Sequence, residues 1–162
     1  MSMAIEYGFE PLSESDLPLI ARWLQAPHVA QWWPDPDQLA KIESHMDEKN
    51  VRLFVVRAAQ RPIGYLQCYD VPQGGHPFPD QPPGTRGIDQ FIGETDMIGR
   101  GHGPALLRTF LDRLFNAGAP GVITDPDPAN RRAVRAYEKA GFASDRLVDT
   151  PYGRTLLMVC RR

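Results

Sequence analysis

The pattern of apolar and polar positions divides the chain into short strands and amphipathic helices that follow one another. Short runs that are rich in apolar and β-branched residues predict seven strands. Most of them are separated by helical segments or by stretches rich in proline and glycine. The predicted strands cover residues 5–12, 51–59, 63–69, 86–92, 121–124, 142–148 and 154–159.

Five helical segments are predicted between these strands. The first follows Ser13, which has an acid three residues on and therefore resembles a capping box. The strongest helix starts at Pro104 and stops near Gly118. The last has Asp127 as its N-cap, with proline at the next position, and ends before Gly141. The other two are a short aromatic segment at 29–33 and a helix at 38–49.

The resulting order, β-α-α-α-β-β-β-α-β-α-β-β, predicts an α/β fold of mixed α+β type, in which helices cover both faces of a mixed sheet. A chain of 162 residues that is 42% apolar and 23% charged has the composition of a globular protein. Its length is typical of one domain, so we expect a single domain over residues 1–162.

Charge and hydropathy exclude several classes of function. The net charge of −2 gives no support for a nucleic-acid partner. The longest apolar runs are too short to span a bilayer. The first ten residues lack the basic-then-apolar order of a signal peptide, so we expect a cytoplasmic protein.

The cysteines and histidines do not have the spacing of metal ligands. Cys68 and Cys160 both lie in apolar, strand-like segments and are interpreted as buried thiols. The four histidines are scattered singly, so no metal site is predicted.

A glycine-rich turn, residues 97–104, connects the fourth strand to the strongest helix. It reads Met-Ile-Gly-Arg-Gly-His-Gly-Pro, with glycine at every second position from Gly99 to Gly103. Backbone N–H groups in such a turn, together with the positive end of the helix dipole, suit a diphosphate. A tight strand-to-helix connection would also need glycine, so the turn by itself leaves both interpretations open.

A second motif follows about thirty residues later. Asn130, Tyr137 and Gly141-Phe142 occur in the pattern NxxAxxxYEKxGF. This pattern and the glycine turn together resemble the Gcn5-related N-acetyltransferases (GNAT). The resemblance implies the GNAT fold, with a mixed, mostly antiparallel sheet, and acetyl-CoA as cofactor. It also implies an enzyme, an acyltransferase, in which Tyr137 protonates the departing thiolate.

The same resemblance implies where the cofactor binds. Backbone amides of the turn would hold the pyrophosphate, and a backbone N–H at the end of the fourth strand would face the acetyl group. Ile98 departs from the family's usual glutamine or arginine, and Arg100 could replace part of that polarity. The residues implied in cofactor binding are Ile92, Ile98, Gly99, Arg100, Gly101, His102, Gly103, Asn130, Arg131 and Tyr137.

Further residues resemble the aminoglycoside 6′-N-acetyltransferases within this superfamily. They are Trp32-Trp33, the Pro-Ile-Gly-Tyr at 62–65, the Arg-Gly-Ile-Asp-Gln at 86–90 and the Thr-Asp-Pro at 124–126. The implied acceptor is the 6′-amine of an aminoglycoside. A siderophore lysine or a protein amine is an alternative acceptor, and a module that binds acetyl-CoA or an aminoglycoside without turnover is an alternative of another class.

Asp89 is the candidate general base. It lies among apolar neighbours in a predicted strand, where a carboxylate is costly unless it meets a cation, and the resemblance implies that it receives the substrate amine. A solvent-facing aspartate on an alternating strand is the simpler alternative. For Tyr137 the alternative is a core tyrosine.

The candidate substrate-binding residues are Trp32, Trp33, Asp89 and Asp125. Packing explains the tryptophans as well as pocket lining does. Asp35, Asp37 and Asp80 fit turn formers better than substrate ligands. Tyr152 stands where the resemblance predicts an aspartate, which weakens the aminoglycoside assignment more than acetyl transfer. The partner is predicted to be a small-molecule amine, without nucleic acid or membrane, and the protein a monomer or homodimer.

Overall fold

The computed structural model describes residues 4–74, 77–79 and 81–162, so Asp80 lies outside the described residues. Seven strands form one sheet in the order β1-β2-β3-β4-β5-β7-β6. The pair β4–β5 is parallel, whereas β1–β2, β5–β7 and β6–β7 are antiparallel. The strands are β1 Tyr7–Pro11, β2 Val51–Ala58, β3 Arg61–Asp70, β4 Arg86–Ile92, β5 Gly121–Thr124, β6 Ala143–Thr150 and β7 Gly153–Arg161.

Within the described ranges, five helices and two short 3-10 turns connect the strands in the predicted order. The 3-10 turns are Glu14–Asp16 and Thr95–Met97. The predicted mixed α/β fold with a mostly antiparallel sheet is therefore confirmed. The helices are α1 Leu17–Gln25, α2 Pro27–Ala30, α3 Gln38–His45, α4 His102–Asn116 and α5 Arg131–Ala140.

The chain divides into two compact units. The first unit contains the residues up to Gln67 together with Gln90–Arg100, and the second contains Cys68–Asp89 together with Gly101–Arg162. A single domain over residues 1–162 stays a prediction.

The first unit has an aromatic and aliphatic core. Trp23, Tyr65 and Phe91 are its buried rings, and Trp33 packs against them from a half-buried position. The aliphatic members of this core are Ile20, Val29, Ile42, Leu53 and Val55.

The second unit has its own apolar core. Ile123 and Leu157 are fully buried in it, with Val71, Phe78 and Val148 around them. The apolar face of α4 is buried at Leu106, Leu107, Phe110, Leu111 and Leu114. Cys68 and Cys160 are buried thiols, as predicted.

Two predicted helix starts are wrong. Helix α4 begins at His102 and not at Pro104, because Gly101 adopts a φ of 84° and is itself the N-cap. Helix α5 begins at Arg131 and not at Pro128, because Asn130 is the N-cap and its Oδ1 accepts a hydrogen bond from the Ala133 N–H at 3.3 Å. Asp127 instead accepts from the Ala129 N–H at 2.9 Å within the preceding turn.

The capping box at Ser13 and the stop at Gly141 are confirmed. The Ser13 N–H donates to Asp16 Oδ2 at 3.0 Å, and Gly141 has a φ of 117°. Helix α3 ends at His45, four residues before the predicted end. Among the described residues, no helix is both long and apolar enough to cross a membrane.

Candidate active site

Asp89 lies in the middle of β4, and Asp125 directly follows β5, the strand that runs parallel to it. In the register of β4 and β5, Arg86 pairs with Val122 and Gly87 with Ile123. Asp89 follows Gly87 by two positions and Asp125 follows Ile123 by two, so the same register, continued past the last pair, brings the two carboxylates to one face of the sheet. The Thr124 hydroxyl extends the contact of the strands past the paired residues by donating to the Ile88 carbonyl at 2.9 Å.

The electrostatics of Asp125 agree with this placement. Burial first, and the negative charge of Asp89 second, raise the pKa of the Asp125 carboxyl from 3.8 to about 8. The nearby Thr155 side chain acts in the opposite direction, lowering that pKa. Two neighbouring carboxylates that are partly withdrawn from water form a site of negative charge, and a cation bound there would relieve their repulsion.

Tyr69, at the end of β3, completes this cluster. A Cβ atom on Gly87 would lie 2.1 Å from Tyr69 Cζ and 2.5 Å from its hydroxyl oxygen, so the phenol ring covers Gly87. Burial raises the pKa of Tyr69 well above 10.0, and the charges of Asp89 and Asp125 raise it further. The phenol therefore stays protonated beside the two carboxylates.

Sequence reasoning missed Tyr69. The signal that could have found it is Gly87, an isolated glycine inside a strand, which often indicates that another group approaches the backbone closely. Here that group is the aromatic ring of Tyr69, and Gly87 itself lies two positions before the candidate base.

Tyr137 lies on α5 and is 3% exposed. Its ring packs edge-on against Phe142 at a centroid distance of 5.3 Å. It also contributes to the raised pKa of Tyr69, after the two aspartates and Cys68, so its hydroxyl belongs to the same polar environment. A buried tyrosine keeps its ring packed while its hydroxyl points toward polar partners.

The glycine turn has the backbone that an anion site needs. Gly99 and Gly101 have φ values of 72° and 84°, and no atom lies within 4 Å of the place where a Cβ would be. The N-cap of α4, a helix of 15 residues, is Gly101, which has no side chain to cap the first turn. These features fit the pyrophosphate of a coenzyme A and identify backbone amides as its ligands.

Other predicted cofactor residues differ in exposure. Arg100 and Arg131 are exposed, whereas His102 and Gly103 are buried in the first turn of α4. The side-chain oxygen of Asn130 caps α5, and its backbone N–H and carbonyl pair with Asp127 and Val134, so a contact with the cofactor would use its side-chain amide nitrogen.

Ion pairs hold the segment between β4 and the glycine turn. Arg61 donates to both carboxylate oxygens of Asp96 at 2.8 Å, and Arg22 pairs with Glu94 at 3.3 Å. Side-chain pairs at the surface stabilise little individually. A bidentate pair nevertheless fixes the orientation of its two side chains, which here both belong to the first unit.

The two tryptophans differ in their packing. The Trp33 ring meets Phe91 at 5.3 Å and Tyr65 at 6.2 Å, both edge-on. Trp32 is half-buried and is not part of this aromatic cluster. Packing accounts for Trp33, and substrate contact by either ring stays a prediction.

Comparison with known proteins places the chain in a family. A family model for the acetyltransferase (GNAT) domain matches residues 13–150. The chain therefore belongs to the GNAT acetyltransferase family, and the predicted family and acyltransferase class are confirmed. No cluster of metal-ligating side chains occurs among the residues that the structure describes.

Individual relatives show which acetyltransferases within this family the chain resembles. Aminoglycoside N(6′)-acetyltransferase type 1 of Klebsiella pneumoniae is 34% identical, over 93% of this chain and 81% of that protein. The structure of AAC(6′)-Ib with paromomycin and acetyl-CoA superimposes with a TM-score of 0.87 at 32% identity, covering 97% of this chain and 94% of that chain. A structure of AAC(6′)-Ib with coenzyme A and kanamycin has a TM-score of 0.86 at 33% identity, covering 97% and 95%.

Proposed function

We propose that this protein transfers the acetyl group of acetyl-CoA to the 6′-amine of an aminoglycoside. The observation that carries the proposal is the pair of interacting carboxylates, Asp89 within β4 and Asp125 directly after β5. An aminoglycoside is a polycation, and two adjacent carboxylates beside a protonated phenol offer complementary charge to its ammonium groups. The relatives that act on aminoglycosides or were solved with them support this choice of acceptor.

Acetyl-CoA supplies the acyl group as a thioester. The backbone amides of Gly99–Gly103 and of the first turn of α4 hold its pyrophosphate, because these groups have no side-chain cap. At the end of β4, the Ile92 backbone N–H meets the acetyl carbonyl oxygen, where negative charge develops during transfer.

Asp89 acts on the acceptor. Its carboxylate binds the target ammonium and takes a proton from it, directly or through water, so that the nitrogen lone pair becomes available. Asp125 binds a second ammonium of the same molecule. The neighbouring Tyr69 hydroxyl donates to the acidic pair and orients it.

Tyr137 acts on the departing sulfur. Its hydroxyl is held by a buried ring on α5 and donates a proton as the thiol leaves. Trp32 contributes an aromatic face for a sugar ring.

Free-thiol release from acetyl-CoA tests the function. The acceptors are kanamycin, tobramycin, a lysine derivative and a peptide with a free N-terminus. Wild type is compared with Asp89→Asn and with Asp112→Asn, a matched control on the exposed face of α4. We expect turnover with kanamycin, a loss of about 10²- to 10⁴-fold in Asp89→Asn and no loss in the control.

Turnover with the lysine derivative or the peptide alone would support acetyl transfer but contradict the aminoglycoside as acceptor. Full activity of Asp89→Asn would contradict the role of Asp89 as general base. Tight binding of acetyl-CoA without thiol release for any amine would favour a binding module.

A further inference from the structure

The backbone of residues 91–93, at the end of β4 and directly after it, is closely contacted by other groups of the first unit. Gly64 of β3 approaches so closely that a Cβ there would lie 2.4 Å from the Phe91 carbonyl oxygen. A Cβ on Gly93 would lie 2.2 Å from the Trp23 ring. Because neither glycine has a side chain, other groups can approach this segment closely.

One peptide group in this segment is hydrogen-bonded at both of its ends. The Gly93 N–H donates to the Ile63 carbonyl of β3 at 2.7 Å. The carbonyl of the same peptide, that of Ile92, lies 2.9 Å from His28 Nε2. A carbonyl oxygen can only accept, so Nε2 carries the proton and donates it. A side chain 64 positions away in sequence thus fixes the plane of the Ile92–Gly93 peptide.

The direction of the Ile92 N–H follows from these contacts. The peptide between Phe91 and Ile92 is trans, so its carbonyl and N–H point in opposite directions. The Phe91 carbonyl faces Gly64 of β3. The Ile92 N–H therefore points to the opposite edge of β4, the edge on which the Ile92 carbonyl receives the hydrogen bond from His28.

We propose that His28 is a positioning residue that fixes the backbone at the end of β4, so that the Ile92 N–H is held in place for the acetyl carbonyl. This inference rests on the proposed function, because the N–H it orients is the one assigned to the acyl donor. His28 itself acts only through the Ile92–Gly93 peptide. Helix α2, which carries His28, begins at Pro27 and is anchored by the buried Val29, so the imidazole is presented from a fixed element.

Three variants separate positioning from general stabilisation. His28→Ala removes the donor, and His28→Gln places an amide N–H near the position of Nε2. The control is His45→Ala, because His45 lies on α3 and pairs with Glu48 at the surface, at 3.1 Å. The measurements are hydrogen exchange of the peptide spanning 90–95 in the ligand-free protein, coenzyme A affinity by calorimetry, and kcat and KM for thiol release.

We expect His28→Ala to accelerate exchange at the end of β4 and to lower kcat about 5- to 10-fold, the change that follows from the loss of one hydrogen bond. Coenzyme A affinity should change less than about threefold, because the pyrophosphate site lies in a different segment. His28→Gln should recover most of both changes, and His45→Ala should behave as wild type.

Unchanged exchange at 90–95 in His28→Ala, or kinetics equal to those of His45→Ala, would overturn the inference. A uniform rise in exchange over the whole chain with unchanged kcat would also overturn it, by assigning His28 to stability alone. These outcomes differ from failure of the proposed function, in which wild type itself binds no coenzyme A and releases no thiol.

Discussion

Strand β4 contributes to two regions of opposite character through residues only two positions apart. In the first unit, Phe91 packs among Trp23, Trp33 and Tyr65 at ring-centroid distances of 5.3–6.2 Å. In the second unit, Asp89 lies beside Asp125 and Tyr69. The aromatic region gains free energy from packing, whereas the carboxylate region loses it through burial and repulsion. Carboxylates whose pKa is raised by burial and by a like charge are typical of functional sites.

The two regions also differ in what holds them in place. Edge-on ring contacts specify the shape of the aromatic cluster, so residue volume decides which substitutions it tolerates. The carboxylates are placed by strand register and their protonation is set by burial and charge, so substitutions there act through electrostatics. Three experiments test this difference between the two regions.

The largest effect is expected from an alanine at each of two strand glycines. Gly64→Ala brings a Cβ within 2.4 Å of a backbone carbonyl, which cannot move without shifting β4. Gly87→Ala meets the side chain of Tyr69, which can rotate away. We therefore expect Gly64→Ala to cost about 3 kcal/mol and Gly87→Ala about 1 kcal/mol in the free energy of unfolding. Urea denaturation measures both.

The order of the same two variants should be reversed when activity is measured instead of stability. Per folded molecule, Gly87→Ala should lose more turnover with kanamycin, because it displaces the phenol beside Asp89. Gly8→Ala is the control, since no atom lies within 4 Å of its added Cβ. Equal unfolding free energies for Gly64→Ala and Gly87→Ala would contradict the assigned contacts.

Much of the fold could be predicted because its signals are local. The period of apolar residues placed β4 and β5 with the bounds that the structure shows, and Gly141 marked the end of α5. The two wrong helix starts have a common cause. A proline at a first helical position is only permissive, whereas Gly101 and Asn130 make the actual caps through backbone conformation and a side-chain acceptor.

The candidate site was predictable where a motif carried it, and not where contacts between distant residues build it. Asp89, Tyr137 and the glycine turn were named from their patterns. Tyr69 and His28 were not, because each acts through a partner from another element, Gly87 for the phenol and the Ile92 carbonyl for the imidazole. Such partners are determined by strand pairing and long-range hydrogen bonds, which cannot be predicted from the pattern of one sequence.

An intermediate effect is expected from the two adjacent tryptophans. Trp33→Ala removes two edge-on ring contacts and should cost about 2 kcal/mol of unfolding free energy, below the ~3–5 kcal/mol of a fully buried ring. Trp32→Ala should change stability by less than about 1 kcal/mol and raise KM for kanamycin. Similar unfolding midpoints in urea for the two variants would show that the aromatic cluster does not depend on Trp33.

The smallest effect concerns the pH dependence of stability. The pKa of Asp125 rises from 3.8 in the unfolded chain to about 8 in the folded protein. The folded state therefore holds a proton that the unfolded state releases, so this contribution is complete below pH 4 and is lost as pH rises toward 8. Asp125→Asn removes the titration. We expect wild type to lose about 1 kcal/mol relative to this variant for each pH unit between pH 5 and 7, close to the ~1.4 kcal/mol per pH unit of one full proton.

Urea midpoints at pH 5, 6.5 and 8 measure this difference, with Asp112→Asn following wild type as the exposed control. Parallel pH profiles for wild type and Asp125→Asn would show that neither burial nor the charge of Asp89 raises the pKa of Asp125 in the folded protein. Kanamycin adds a second arm to the test. A bound ammonium favours the ionised form of Asp125, so binding at pH 7 should release a proton, and the calorimetric enthalpy should vary with the ionisation enthalpy of the buffer. Trp32→Ala should weaken binding without abolishing that release, because the proton belongs to the carboxylate region.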